Sequence, residues 1–106
     1  MLAGVYIAFI ALLNFDGDAF GRPRAIMWYV YIIRSISFPD REYTGASEHL
    51  KQRIVDHNAG RSTYTAKFKP WNLVWYCGFP DKYRALEFEK YLKSHSGRAF
   101  AKKRLL

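Results

Sequence analysis

From residue 27 onward the sequence predicts a small α+β (α/β) domain. Its core is a three-stranded, mainly antiparallel sheet flanked by helices in the order β-β-α-β-α-α. Three observations predict it. Two runs of β-branched and aromatic residues, 28–33 and 71–79, read as strands. Two longer stretches repeat apolar residues every three or four positions and read as helices. Short connections carrying Pro, Asp or Gly separate these segments.

Taken in order, WYVYII opens the domain as a strand, and Phe38-Pro39-Asp40 turns the chain. Glu42-Tyr43-Thr44-Gly45 is a short second strand, and so short a connection implies antiparallel pairing. Ser47 is placed to cap a helix that runs to about Asn58, with Gly60 just past its end. Residues 61–70, RSTYTAKFKP, form a basic loop or a short irregular helix. WNLVWYCGF is the third strand, and Pro80-Asp81 leads into a second long helix that runs from Lys82 to about Ser94. Gly97 separates that helix from a short basic one ending at Leu105.

The chain has 106 residues, which fits one domain. Half of them are hydrophobic and 18% aromatic, too apolar for disorder. The net charge of +8 is unevenly spread. Residues 1–26 are neutral, so the excess lies in 27–106, and the tail carries Arg98, Lys102, Lys103 and Arg104 with no acid after Gly97. Such a surface attracts polyanions, either nucleic acid or an acidic membrane. The single Cys77 excludes an internal disulfide and a cysteine zinc cluster, in keeping with a reducing, cytoplasmic setting. His49, His57 and His95 lack the spacing of a zinc site.

Residues 1–26 read as an N-terminal extension. The first 13, MLAGVYIAFIALL, are apolar but too short to span a bilayer, and no basic region precedes them. NFDGDAFGRPR then reads as a linker. An added element packed on the domain, a weak export signal, and upstream sequence with the natural start at Met27 are the competing readings. We favour the last, or a poorly ordered appendage. Its dispensability is an expectation.

Several polar residues fall in apolar patterns. On the second long helix Ala85, Leu86, Phe88 and Leu92 share an arc, and Glu89 lies in its middle. A carboxylate there loses hydration and needs a cation or a hydrogen-bond partner. It either pairs with Lys93 one turn on, at the edge of the core, or holds a metal. On the first helix Arg53 and His57 stack four apart beside the stripe of Leu50 and Ile54. They form a solvated edge, or an Arg that grips phosphate with a His that handles a proton. Tyr29, Tyr31 and Ile33 share one face of the first strand, with Trp28, Val30 and Ile32 on the other, and Tyr43 lies on the next strand. Strand tyrosines pack, or donate hydrogen bonds to phosphate.

Tyr29-Val30-Tyr31 followed by Tyr43-Thr44-Gly45 resembles the paired motifs of the GIY-YIG nucleases. Arg53 and His57 fall where that family keeps an Arg and often a His, and Glu89 matches its metal-binding glutamate. The string RALEFEKYLKSHSGRAFAKKRL looks like the end of the small single-domain bacterial members. The resemblance covers about residues 28–105. It implies an endonuclease that hydrolyses phosphodiester bonds in DNA, of the kind used in repair or recombination, with one divalent metal, Mg²⁺ or alternatively Mn²⁺. It implies Glu89 as metal ligand, Tyr31 as general base assisted by His57, Tyr43 positioning phosphate or water, and Arg53 stabilising the phosphoryl group. Arg61, Lys67, Lys69, Lys93, Arg98 and Lys102 are the expected nucleic-acid contacts.

Tyr29 and Thr44 depart from the family's Gly and Ile, and the Asn that many members carry after the glutamate is absent, since no Asn follows Asn72. The alternative function is a non-catalytic nucleic-acid-binding module on the same fold. A membrane-surface protein anchored by its apolar N-terminus is a third, weaker reading, and the expected partner is nucleic acid, with no membrane. The sequence leaves the oligomeric state open.

Overall fold

The computed structural model describes residues 27–106; the expectations for residues 1–26 lie outside the described residues. Strand β1 (Trp28–Ser35) is central, β2 (Glu42–Ser47) and β3 (Trp71–Phe79) flank it, and both pairings are antiparallel. Helix α1 (Leu50–Asn58) and the single turn α2 (Thr63–Ala66) connect β2 to β3, and α3 (Lys82–Lys93) and α4 (His95–Arg104) follow. The predicted order and sheet type stand.

Alternation along β1 divides the core in two. Tyr31 and Ile33 face α1 and pack with Leu50, Ile54, Trp71 and Leu73. Val30 and Ile32 face the other way and pack with Ala85, Leu92 and Ala101 of α3 and α4. Helices therefore cover both sheet faces, which is why β1 reads as a nearly continuous apolar run. The β1–β3 register slips at Ile32/Ile33: Ile32 faces Trp75 but Ile33 faces Leu73, so Val74 is an extra residue and the strand bends there.

The hairpin turn closes as its composition implies, with Arg41 N donating to Phe38 O at 2.8 Å. Gly60, just beyond α1, has φ of 80°, a conformation open to glycine at little steric cost.

Two predicted details are corrected. Ser47 does not cap α1. It is paired with Tyr29 as the last residue of β2, the N-cap is His49, and the Ser47 hydroxyl instead accepts from His49 N at 3.0 Å. Gly97 does not separate the last two helices. The break is at Ser94, whose extended backbone ends α3 and begins α4. Its hydroxyl donates to Tyr91 O at 2.6 Å and accepts from Gly97 N at 3.1 Å, so one side chain serves both helix ends. Gly97 lies in the first turn of α4, where a Cβ would overlap the Tyr91 carbonyl.

Candidate active site

The α1 side of the sheet contains a buried polar chain. Tyr31, on central β1, is 1% exposed, and its hydroxyl lies 2.8 Å from His57 Nε2. His57, on the inward face of α1, is fully buried, and its Nδ1 lies 2.7 Å from Thr65 Oγ1 of α2. Thr65 in turn donates to Ser62 O at 3.4 Å. Of the two His57 tautomers, that last bond favours one. With its proton on Ser62, Thr65 accepts from His57 Nδ1–H, and Nε2 is left as the acceptor for the Tyr31 hydroxyl.

Thr65 is held from behind. The Trp71 indole donates to Thr65 O at 2.8 Å. The Asn58 amide brackets the Trp71 main chain, accepting from its N at 2.6 Å and donating to its O at 3.3 Å. The end of α1, the start of β3 and the short helix are thus tied into one support.

Gly45 makes room for Tyr31. The two residues are cross-strand partners, and a Cβ at position 45 would run into the Tyr31 hydroxyl and ring. The glycine of the second motif is therefore required by close side-chain approach; its φ is ordinary.

Electrostatics reinforce this arrangement. Burial depresses the His57 pKa from 6.5 to about 4, and Arg53 one turn back adds to the effect. His57 is therefore neutral near pH 7 and has a lone pair to offer. Burial pushes the Tyr31 phenol well above its ordinary range, against the pull of the half-buried Arg53 guanidinium, while Tyr43 and Glu89 push the same way as burial. Tyr43 stands edge-on to His57 with ring centres 5.1 Å apart.

Glu89 of α3 is half-buried, its side chain 20% exposed, and Lys93 Nζ lies 3.2 Å from Oε2. The same ammonium is 5.5 Å from the centre of the Tyr43 ring, so Lys93 bridges α3 and β2. The ion pair that the sequence offers for Glu89 is thus formed, with Lys93 half in solvent, where such pairs contribute little. The structure gathers Tyr31, Tyr43, Arg53, His57 and Glu89 into one neighbourhood.

The expected nucleic-acid contacts are less uniform. Lys67 and Lys69 are exposed on the loop after α2. Arg61 is bound to Asp56 at 2.6 Å, so a phosphate there competes with an existing pair, and Gln52 and Arg61 hold the Asp56 carboxyl below its usual range. Arg98 and Lys102 are exposed on α4, on a different helix from the cluster.

Among the described residues no three His, Cys, Asp or Glu converge as a metal cage. The donor at hand is one half-buried carboxylate. That suits a hard cation such as Mg²⁺, which keeps several waters and needs one or two protein carboxylates, and does not suit zinc.

Sequence reasoning missed Thr65, Asn58 and Trp71 as parts of the site. Thr65 is one of several hydroxyl residues in a basic loop, and nothing in the spacing marks which of them turns inward. Among the described residues no helix is long and apolar enough to cross a membrane.

Comparison with known proteins agrees with the motifs. The GIY-YIG catalytic domain matches residues 27–104. The structure-specific endonuclease subunit SLX1 of Malassezia globosa is 34% identical over 77 residues, covering 68% of this chain and 17% of that protein. SLX1 of Candida dubliniensis is 38% identical over 71 residues, covering 60% of this chain and 25% of that protein. The UPF0213 protein of Lacticaseibacillus paracasei is 36% identical over 67 residues, covering 62% of this chain and 71% of that protein. The chain therefore spans at most a quarter of these SLX1 subunits, but most of a small bacterial relative. Since the domain match takes in every strand and helix described above, the chain belongs to the GIY-YIG family.

Proposed function

We propose that this chain is a metal-dependent endonuclease that hydrolyses phosphodiester bonds in DNA, with one Mg²⁺ held by Glu89. The buried Tyr31–His57 hydrogen bond carries the reading. Packing alone would not require an oriented phenol–imidazole–hydroxyl chain, and burying unpartnered polar groups is costly.

A water beside the Tyr31 hydroxyl loses its proton to that oxygen as the Tyr31 proton passes to His57 Nε2. The water oxygen attacks phosphorus, and the ester oxygen leaves. The buried phenol resists existing as a free phenolate, so a relay is more favourable than two separate steps. A phosphate beside Arg53 offsets the charge that depresses His57 and makes the imidazole a better proton acceptor. Arg53 meets the charge that builds on the phosphoryl oxygens. Tyr43 orients a phosphate oxygen or the water. Glu89 is the residue that would hold the cation, which would compete with Lys93 for its carboxylate. When bound, a divalent metal polarises the phosphate and stabilises the leaving oxygen.

The names of the SLX1 relatives, structure-specific endonuclease subunits, support cleavage within a nucleic-acid strand, and DNA is the substrate we infer. The test is cleavage of labelled linear, flapped and branched nucleic acids with Mg²⁺ or EDTA, for wild type, Glu89→Gln and Arg53→Ala. Glu89→Gln is expected to fold and bind DNA but lose nearly all Mg²⁺-dependent cleavage. Arg53→Ala loses cleavage and some affinity, since it contacts phosphate in ground and transition states. If Glu89→Gln cleaves like wild type, the assignment is wrong. If wild type cleaves nothing, the binding-module reading replaces it.

A further inference from the structure

A line of aromatic rings leads away from the reaction centre across the surface. Tyr43, edge-on to His57, is 6.2 Å from Tyr64 between ring centres; Tyr64 is 5.4 Å from Phe68; and Phe68 is 5.5 Å from Phe38 in the hairpin turn. The run draws on β2, α2, the loop after it and the β1–β2 turn, four separate parts of the chain. Two of its members are open to solvent, Tyr64 at 43% and Phe38 at 48%. Core packing does not account for that exposure.

Positive charge follows the same line. The Arg41 guanidinium lies 5.0 Å from the centre of the Phe68 ring, and Lys67 and Lys69 are exposed beside it in sequence. In segments 36–43 and 61–70 the acids are Asp40 and Glu42, and Glu42 is bound to Arg34 at 2.7 Å. Exposed rings interleaved with cations favour a ligand that offers flat π faces and a polyanionic backbone.

We propose that this run seats an unpaired nucleic-acid strand, whose bases stack on Tyr64 and Phe38 and whose phosphates meet Arg41 and Lys67 as the strand leads into the site. In a duplex the base faces are already covered by their neighbours, so the rings select unpaired nucleotides over paired ones. The proposal rests on the nucleic-acid reading above and narrows it to substrates with a single-stranded segment beside the scissile bond.

The test is fluorescence anisotropy of the full chain in EDTA, with three labelled probes: an oligothymidylate, a blunt duplex, and an abasic strand of equal length. Tyr64→Ala and Phe38→Ala are each expected to weaken oligothymidylate binding roughly tenfold, by loss of one stacked base. Duplex and abasic-strand affinity stay within about twofold, since neither offers a free base face. Tyr64→Trp retains wild-type affinity, and melting curves verify that each variant is folded. The proposal is overturned if the alanine variants bind oligothymidylate like wild type, or if all three probes weaken equally. Because no metal is present, this outcome is separate from the cleavage test on Glu89→Gln.

Discussion

Tyr31 and Gly45 face each other across neighbouring strands, and the space left by the missing side chain of Gly45 is filled by the hydroxyl end of Tyr31. The two motif residues form a single device. Gly45→Ala is therefore expected to push the Tyr31 hydroxyl off His57. The overpacking costs about 1–3 kcal/mol of stability, and cleavage falls far more than folding does. Melting and cleavage measured together check this; a variant that cleaves normally shows that Tyr31 tolerates the shift.

Thr65, 2.7 Å from His57 Nδ1, is expected to set which ring nitrogen carries the proton. Thr65→Val leaves a buried N–H unpaired, at a cost of about 1–3 kcal/mol, and lowers cleavage roughly 10–100-fold, as loss of an orienting partner does. Thr65→Ser restores both. Nitrogen chemical shifts of His57 read the tautomer directly, and an unchanged tautomer in Thr65→Val would remove the positioning role.

His57 also makes stability depend on pH. Its folded pKa of about 4 lies below the unfolded 6.5. Between these values the unfolded chain binds a proton that the native chain does not, so stability rises from pH 4 to 6.5 and this contribution is flat above. The full span is on the order of 3 kcal/mol. Denaturant midpoints at pH 5 and 7 should converge in His57→Gln; an unchanged gap places the titration elsewhere.

Affinity for DNA should fall steeply with salt, because residues 27–106 carry the whole excess charge. On duplex, log K declines against log salt with a slope of about −0.9 per phosphate contacted. Removing Lys67 or Lys69 should lower that slope, whereas Arg61→Ala changes it less, since Arg61 is already bound to Asp56. A flat response to salt eliminates nucleic acid as the main partner.

A chain beginning at Met27 is expected to be soluble and to melt cooperatively, since the domain match begins at residue 27. Aggregation of that shorter chain would show that residues 1–26 complete the core.

The strands and main helices were legible because the alternation on β1 and the apolar spacing on α1 and α3 report burial directly. The residues Tyr31, Tyr43, Arg53, His57 and Glu89 were legible as a motif set, although no single one stood apart from a packing role. What sequence could not show was long-range closure. Asn58 reaches Trp71 thirteen positions away, and Thr65 reaches His57 eight positions back. Those partners depend on where a loop returns, which periodicity does not encode. Ser47 and Gly97 misled for a related reason: both residue types mark helix ends locally, but strand pairing claims the first and tight helix contact the second.

The Asn58–Trp71 bracket has a consequence for how such a domain diversifies. The segment between them is closed at its base by the side chain of one residue on the main chain of another, much as a cyclised peptide is closed by its linkage. Outward positions such as Tyr64, Lys67 and Lys69 can then be exchanged while Thr65 stays tied to the Trp71 indole and in register with the imidazole. Substitutions at those outward positions would then change the surface and leave the Thr65–His57 contact in place.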